Sequence, residues 1–316
     1  MKFGNLLFGM LAVSMFAGNA AAANKTRLMD TQGSGNSRFD VSLGLYQWSG
    51  QSKYTLLGTI TTYDIKSSSS NLTLDYVYGL TDRFDVALAF PLARSSKGTS
   101  EYSSGGNQYK STYQYEGEGD VGFAANYQLM NKQANGFNWN LAGYVSPSTA
   151  ASSSGTSEQS VNGVVTVTGT KGKNGRGYTE TGIGTSVGLP TSIGDVVFDA
   201  KVYSGGEKTS AGVKTTFGRS KHFKVCLESA INASTTLAPY VGYFTTGSST
   251  TAGTTYPSST YYSAGLMATM DVSNRVSLRG SLDYTKMMEH TYTFSGGNAV
   301  STLSGFSVSL VSMFFF

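Results

Sequence analysis

The last eleven residues, Phe306-Ser307-Val308-Ser309-Leu310-Val311-Ser312-Met313-Phe314-Phe315-Phe316, alternate apolar with small side chains and stop on phenylalanine. A polarity period of two marks a strand with two unlike faces. Phe306, Val308, Leu310, Phe314 and Phe316 fall on one parity, and Gly305, Ser307 and Ser309 on the other. A soluble edge strand of this kind would be a template for aggregation unless charge or proline blunted it, and the segment has neither. A strand with lipid on one side and a lumen on the other meets no such difficulty. The pattern predicts the closing strand of a transmembrane β-barrel. Phe314 and Phe316 then form part of a signal read by the barrel-assembly machinery, a strand edge offered for pairing.

The opposite end supports that reading. Lys2 supplies a basic start, Leu6 to Phe16 an apolar stretch too short to span a bilayer, and Ala21-Ala22-Ala23 a small-residue cleavage site. Residues 1–23 are expected to be a signal peptide, leaving 24–316 as one outer-membrane barrel. The residue directly after the cleavage site is Asn24, not cysteine, and no apolar run of about 18 residues follows that could anchor the chain as a helix. Charged residues make up only 13% of the chain, against about 25% in soluble domains. The 20 Tyr and 17 Phe suit aromatic girdles at the two membrane interfaces. The lone Cys226 excludes an intrachain disulfide framework and offers no metal or redox pair.

Alternation along the chain predicts about twelve antiparallel strands, near 37–48, 69–79, 83–92, 118–129, 137–146, 178–188, 195–204, 222–231, 236–246, 259–270, 275–286 and 303–316. The connections alternate in length. Long ones fall at 49–68, 93–117, 147–177, 205–221, 247–258 and 287–302, and short ones at 80–82, 130–136, 189–194, 232–235 and 271–274. An even-stranded barrel with both termini in the periplasm requires that pattern, with short periplasmic turns and long extracellular loops. The fold class expected is therefore all-β, a transmembrane antiparallel barrel in the bacterial outer membrane.

The parity sorts the two faces. Outward positions include Phe39, Val41, Leu43 and Leu45; Leu72, Leu74, Tyr76 and Tyr78; Phe84, Val86, Leu88 and Phe90; and Val276, Leu278, Leu282 and Tyr284. The inward parity carries Asp40, Asp75, Asp85, Asp120, Glu180, Asp199, Glu228 and Asp283 against Lys201, Lys224 and Arg279. The chain as a whole is formally +4, so its surplus bases lie in the long connections, where they suit outer-membrane lipid and lipopolysaccharide phosphates. An acidic lumen would favour cations or neutral polar solutes; equally, carboxylates and bases could pack together to close a narrow lumen. Tyr46 and Tyr144 are placed to slide along a ring-shaped solute. Glu116, Glu118 and Asp120 share one parity near the outer mouth but stand about 6–7 Å apart in an extended strand, too far for all three to grip one cation.

Catalysis is not expected. His222 is followed by Phe223-Lys224 and His290 by Thr291-Tyr292, and neither presents the His-x-Ser pair of an outer-membrane phospholipase or the paired aspartates of an omptin-type protease. No cofactor, metal or nucleic-acid partner is expected.

Two segments carry a family resemblance. Tyr78-Gly79-Leu80-Thr81-Asp82-Arg83-Phe84-Asp85-Val86-Ala87-Leu88-Ala89-Phe90-Pro91, and Gly117-Glu118-Gly119-Asp120-Val121 with Tyr127-Gln128-Leu129, are similar to a hairpin and the following element in the outer-membrane proteins grouped under the meta-pathway of phenol degradation. That resemblance implies a transporter of aromatic or other hydrophobic compounds. The sequence thus leads to a channel for small molecules by passive passage, with a side-chain-plugged structural or adhesion barrel as the competing reading.

Overall fold

The computed structural model describes residues 27–316, apart from 151, 174, 211–212, 253 and 295–296. The expected signal peptide lies outside the described residues. In chain order the strands are β1 (Ser37–Leu56), β2 (Thr59–Thr81), β3 (Phe84–Ser104), β4 (Asn107–Gly117), β5 (Gly122–Met130), β6 (Asn138–Ser146), β7 (Ser152–Val161), β8 (Val164–Lys173), β9 (Glu180–Thr191) and β10 (Gly194–Tyr203). There follow β11 (Gly206–Ser210), β12 (Val213–Phe217), β13 (Ser220–Asn232), β14 (Thr235–Thr245), β15 (Ser249–Thr251), β16 (Thr254–Tyr256), β17 (Thr260–Ser273), β18 (Val276–Met287), β19 (His290–Phe294) and β20 (Gly297–Phe315).

Twelve of them close a ring in the order β1-β2-β3-β5-β6-β9-β10-β13-β14-β17-β18-β20, every neighbour antiparallel. They correspond to the twelve strands read from the alternation. The seam joins the chain's two ends. Phe39 stands opposite Phe314 and Leu43 opposite Leu310, while Ser37 and Phe316 exchange backbone bonds of 3.1 and 2.9 Å. The outward parity is apolar and open to the surroundings at Phe306, Val308, Leu282, Tyr284, Phe90 and Tyr76, as a lipid-facing wall must be.

The short turns fall where expected. The β5–β6 connection adds one helical turn, α1 (Lys132–Asn135), capped by the Asn131 side chain and ended by Gly136 at φ 79°.

Most residues of the long connections continue the strands or form further hairpins. β1 and β2 run on to a two-residue turn at Leu57-Gly58, β3 continues to Ser104 before turning into β4, and β7 and β8 form a hairpin about Asn162-Gly163. These segments are rich in Ser, Thr and Gly, a composition compatible with strands solvated on both faces. The result is an upright sheet above the membrane, ordered β19-β20-β1-β2-β3-β4-β7-β8. Tyr54, Tyr63, Tyr102 and Tyr109 pack in a row across four of its strands at centroid distances of 5.0, 4.5 and 4.7 Å, the first pair edge-to-face and the last stacked. Cross-strand aromatic pairs of this kind each contribute up to about 1 kcal/mol.

Candidate functional site in the barrel lumen

β3 changes partner partway up the wall. It pairs with β5 from Phe84 to Ala89 and with β4 from Arg94 upward. Across the junction, Gly119 N–H donates to the Pro91 carbonyl at 3.0 Å, and a Cβ on Gly119 would come within 2.8 Å of the Pro91 ring. The two segments that carried the family resemblance therefore meet in space, and their Pro and Gly serve a wall junction.

That geometry corrects the acidic run. Glu116 lies on β4 opposite Ser95, on the outward parity, where it accepts from Gln114; Glu118 is exposed and outside any strand. Asp120 alone turns in, its carboxylate accepting the Ala150 N–H at 2.9 Å and the Arg176 N–H at 2.6 Å.

Most of the other inward carboxylates have partners. Arg38 Nε donates to Asp40 at 2.8 Å, and Asp75 stands opposite Asp40 on the neighbouring strand. Lys201 and the Ser186 hydroxyl hold Asp199, Arg176 holds Glu180 at 3.0 Å, and Ser307 donates to Asp283 at 3.0 Å. Arg279, on β18, bonds Thr269 at 3.0 Å. Arg38, Arg94 and Arg176 are further bases on the lumen side: Arg38 shares the parity of Asp40, whereas Arg94 and Arg176 fall in expected connections, which have no parity to read. The excess of inward acid shrinks accordingly.

Asp85 and Glu228 serve a feature that has no sequence signature. Residues 27–36 cross the periplasmic mouth as an irregular strap with turns at 28–29 and 34–35. The Leu28 N–H donates to Glu228 at 3.2 Å on β13, and the Gln32 N–H donates to both oxygens of Asp85 at 3.1 Å on β3. Between these points the Met29 carbonyl accepts from Gln128 and Asn140, each at 3.3 Å. Met29 itself is buried against Val197 and Cys226. Arg27 and Lys132 converge on Asp195. At the far side Gly79 exchanges backbone bonds with Gly35 and Asn36, both 2.9 Å; a Cβ there would strike the Gly33 carbonyl, so the strap's approach requires glycine. A buried amide without a partner costs about 1–3 kcal/mol, which explains carboxylates aimed at an irregular backbone.

Toward the outer end the lumen is lined by rings. Tyr144 on β6, Tyr203 on β10, His222 on β13, Phe244 on β14, Tyr261 on β17 and Trp48 on β1 form a continuous arc with successive centroids 5.9, 5.1, 5.4, 4.5 and 6.1 Å apart. Facing its Tyr144 and Trp48 ends, a cavity of about 430 Å³ is walled by Tyr46, Asn71, Arg94, Asp120 and Arg176. The Asn71 Oδ1 is buried without a hydrogen-bond partner. Of the arc the sequence singles out Tyr144 as a lumen residue and His222 only as a rejected catalytic candidate; the others sit on the small or polar parity, where an aromatic is the anomaly that could have revealed them. Among the described residues no group of three His, Cys, Asp or Glu could hold a metal ion.

A closed antiparallel ring with an apolar outer wall defines an outer-membrane β-barrel. Neither a family model nor a curated protein matches the chain. Among solved structures, the COG4313 outer membrane channel from Pseudomonas putida F1 is similar, with a TM-score of 0.57 at 15% identity over 92% of this chain and 98% of that one. The CymD monoaromatic hydrocarbon channel gives 0.50 at 11% identity over 90% and 89%. At such identities the likeness is one of fold.

Proposed function

We propose that this barrel carries small aromatic molecules across the bacterial outer membrane, passively, past the arc of rings from Tyr144 to Trp48. The observation that carries the proposal is the arc itself. Rings at 4.5–6.1 Å from one another offer a solute successive edge and face contacts of similar strength, each about 0.5–1.5 kcal/mol, so it is held at every step and trapped at none. Arg94, Arg176 and the unpartnered Asn71 Oδ1 can orient one polar substituent on the ring. The similarity of fold to a monoaromatic hydrocarbon channel and the family resemblance of the two sequence segments agree with this reading.

Uptake of a membrane-impermeant monoaromatic such as benzenesulfonate into proteoliposomes tests it. The Phe244→Ala/Tyr261→Ala variant should slow uptake several-fold while leaving a small sugar unaffected, and equal loss for both solutes would overturn the aromatic path. The strap favours a second reading, a barrel closed at its periplasmic mouth that acts outside the cell. No conductance and no uptake in correctly folded protein would select it.

A further inference from the structure

The outer face of the wall carries a groove of about 340 Å³ bounded by Lys66, Lys97 and Phe306. Two adjacent register rows line it, one running from Phe306 across β1 and β2 to Lys97 and the next, one step further out, from Ser304 to Lys66. These side chains share the outward parity of Leu45 and Val308. Lys66 stands opposite Thr99 and Lys97 opposite Ser68, so the two lysines are diagonal neighbours about 7–8 Å apart at the backbone. Both are exposed, and among the described residues neither is in ion-pair contact with a carboxylate. The acids above them on the same face are taken: Asp64 accepts from Gln51 at 2.9 Å, and Glu101 pairs with Lys110 at 2.7 Å.

The groove sits where the lipid-facing band ends. Below Phe306 the outward parity of β20 carries Val308 and Leu310 and leads to Phe314 and Phe316, while above it stand Ser304 and Thr302. From Phe316 to Phe306 the chain climbs ten residues, about 33 Å of strand. At a tilt of about 40° that is a rise of about 25 Å, the height of the apolar band of an outer-membrane barrel. β1 and β2 change character beside it, from Leu45 to Gln47 and from Leu72 to Ser70.

We infer that this groove binds the phosphorylated sugar headgroup of an outer-leaflet glycolipid, with Lys66 and Lys97 sharing one phosphate. Two ammoniums without counter-charge at headgroup level are point charges that a phosphate can bridge. The hydroxyls of Ser49, Ser68 and Ser304 each donate and accept, as the hydroxyls of a sugar do. Phe306, Val308 and Leu45 are 59%, 49% and 48% exposed and continue downward from the groove as a bed for the acyl chains. A free phosphate would meet the lysines alone, and a phospholipid would leave the hydroxyl rows unused. The site lies on the lipid side of the wall and is independent of whether the lumen conducts.

The test titrates the full-length barrel, purified in a non-ionic detergent, with bisphosphorylated lipid A and counts bound lipid by native mass spectrometry. Lys66→Gln/Lys97→Gln should weaken binding roughly thirtyfold, and removal of the phosphates from the lipid should do the same to the wild-type protein. Lys66→Arg/Lys97→Arg should retain binding. Lys53→Gln/Lys221→Gln removes the same charge away from the groove and should bind as wild type does, with heat-dependent gel mobility confirming that every variant folds. Inorganic phosphate at the concentration of the lipid should displace nothing. The inference is overturned by absence of binding to the wild-type protein, by equal weakening in the two glutamine variants, by equal binding of phosphatidylglycerol, or by displacement with inorganic phosphate.

Discussion

The strap across the periplasmic mouth should be weakened by a change that leaves the barrel wall intact, Asp85→Asn together with Glu228→Gln. Both carboxylates accept strap amides, from Gln32 at 3.1 Å and from Leu28 at 3.2 Å, and both replacements keep the shape and one acceptor oxygen. A hydrogen bond to a charged group contributes about 1.5–3 kcal/mol and one to a neutral group about 0.5–1.5, so each change should weaken the strap by about 1 kcal/mol. Two independent sites give about 2 kcal/mol, or roughly a thirtyfold rise in the population with the strap released. The Arg27–Asp195 pair at 3.5 Å is exposed on the arginine side and adds little to this balance. Single-channel recording in planar bilayers reads the population directly: open events should become roughly thirtyfold more frequent at unchanged conductance per event. An opening frequency equal to wild type, in protein whose barrel still shifts on heating, would show that the strap is not the barrier.

Other consequences are open to measurement. Deleting Phe314 to Phe316 removes the residues that face Phe39 and Ser37 across the seam and should leave the chain in the periplasm, and normal outer-membrane yield would refute the assembly signal. Leu88→Arg on the lipid face should destabilise the barrel by about 2–4 kcal/mol in urea unfolding from lipid, whereas Ala87→Arg should chiefly change permeation. Leu57 turns at φ 47° with 87% of its surface exposed; Leu57→Asn should stabilise the β1–β2 tip by about 1 kcal/mol, seen as slower amide exchange there. The Glu101 carboxyl is held below its ordinary value first by its hydrogen bond with Lys110 and then by that residue's charge. Their contribution is therefore full above the ordinary carboxylate range and fades as pH falls through the lowered value, and Lys110→Gln should return the Glu101 titration seen by NMR toward normal.

The period of two made the ring legible, because a barrel strand must separate lipid from lumen residue by residue. Its limits follow from the same rule. Residues 49–68 have no apolar parity, with Leu56 and Ile60 on one and Leu57 and Ile65 on the other, so the continuation of β1 and β2 to Leu57-Gly58 was invisible as strand. Trp48, Tyr203, His222, Phe244 and Tyr261 break the polar parity they occupy, and aromatics in a barrel are first assigned to the lipid interfaces, which hid the arc. The strap was beyond reach: Leu28 to Asn36 shows no periodicity, and what fixes it is a set of acceptors as distant as Glu228. Asp85 and Glu228 share the inward parity with the other carboxylates, but whether such a carboxylate faces solute or backbone depends on that partner.

The seam between β1 and β20 also sets a condition on biogenesis. The first strand of the barrel can acquire its second neighbour only after the last residues of the chain have been made, since Ser37 bonds Phe316. Until then every intermediate carries two long open edges, and contacts that close late across nearly the whole chain fold slowly. The strap is joined to the N-terminal side of that same first strand, through Gly79 on β2, so it can be seated while the ring is still an open sheet. Closure would then enclose a mouth already occupied, and the newly inserted barrel would be sealed against leakage from its first moment in the membrane.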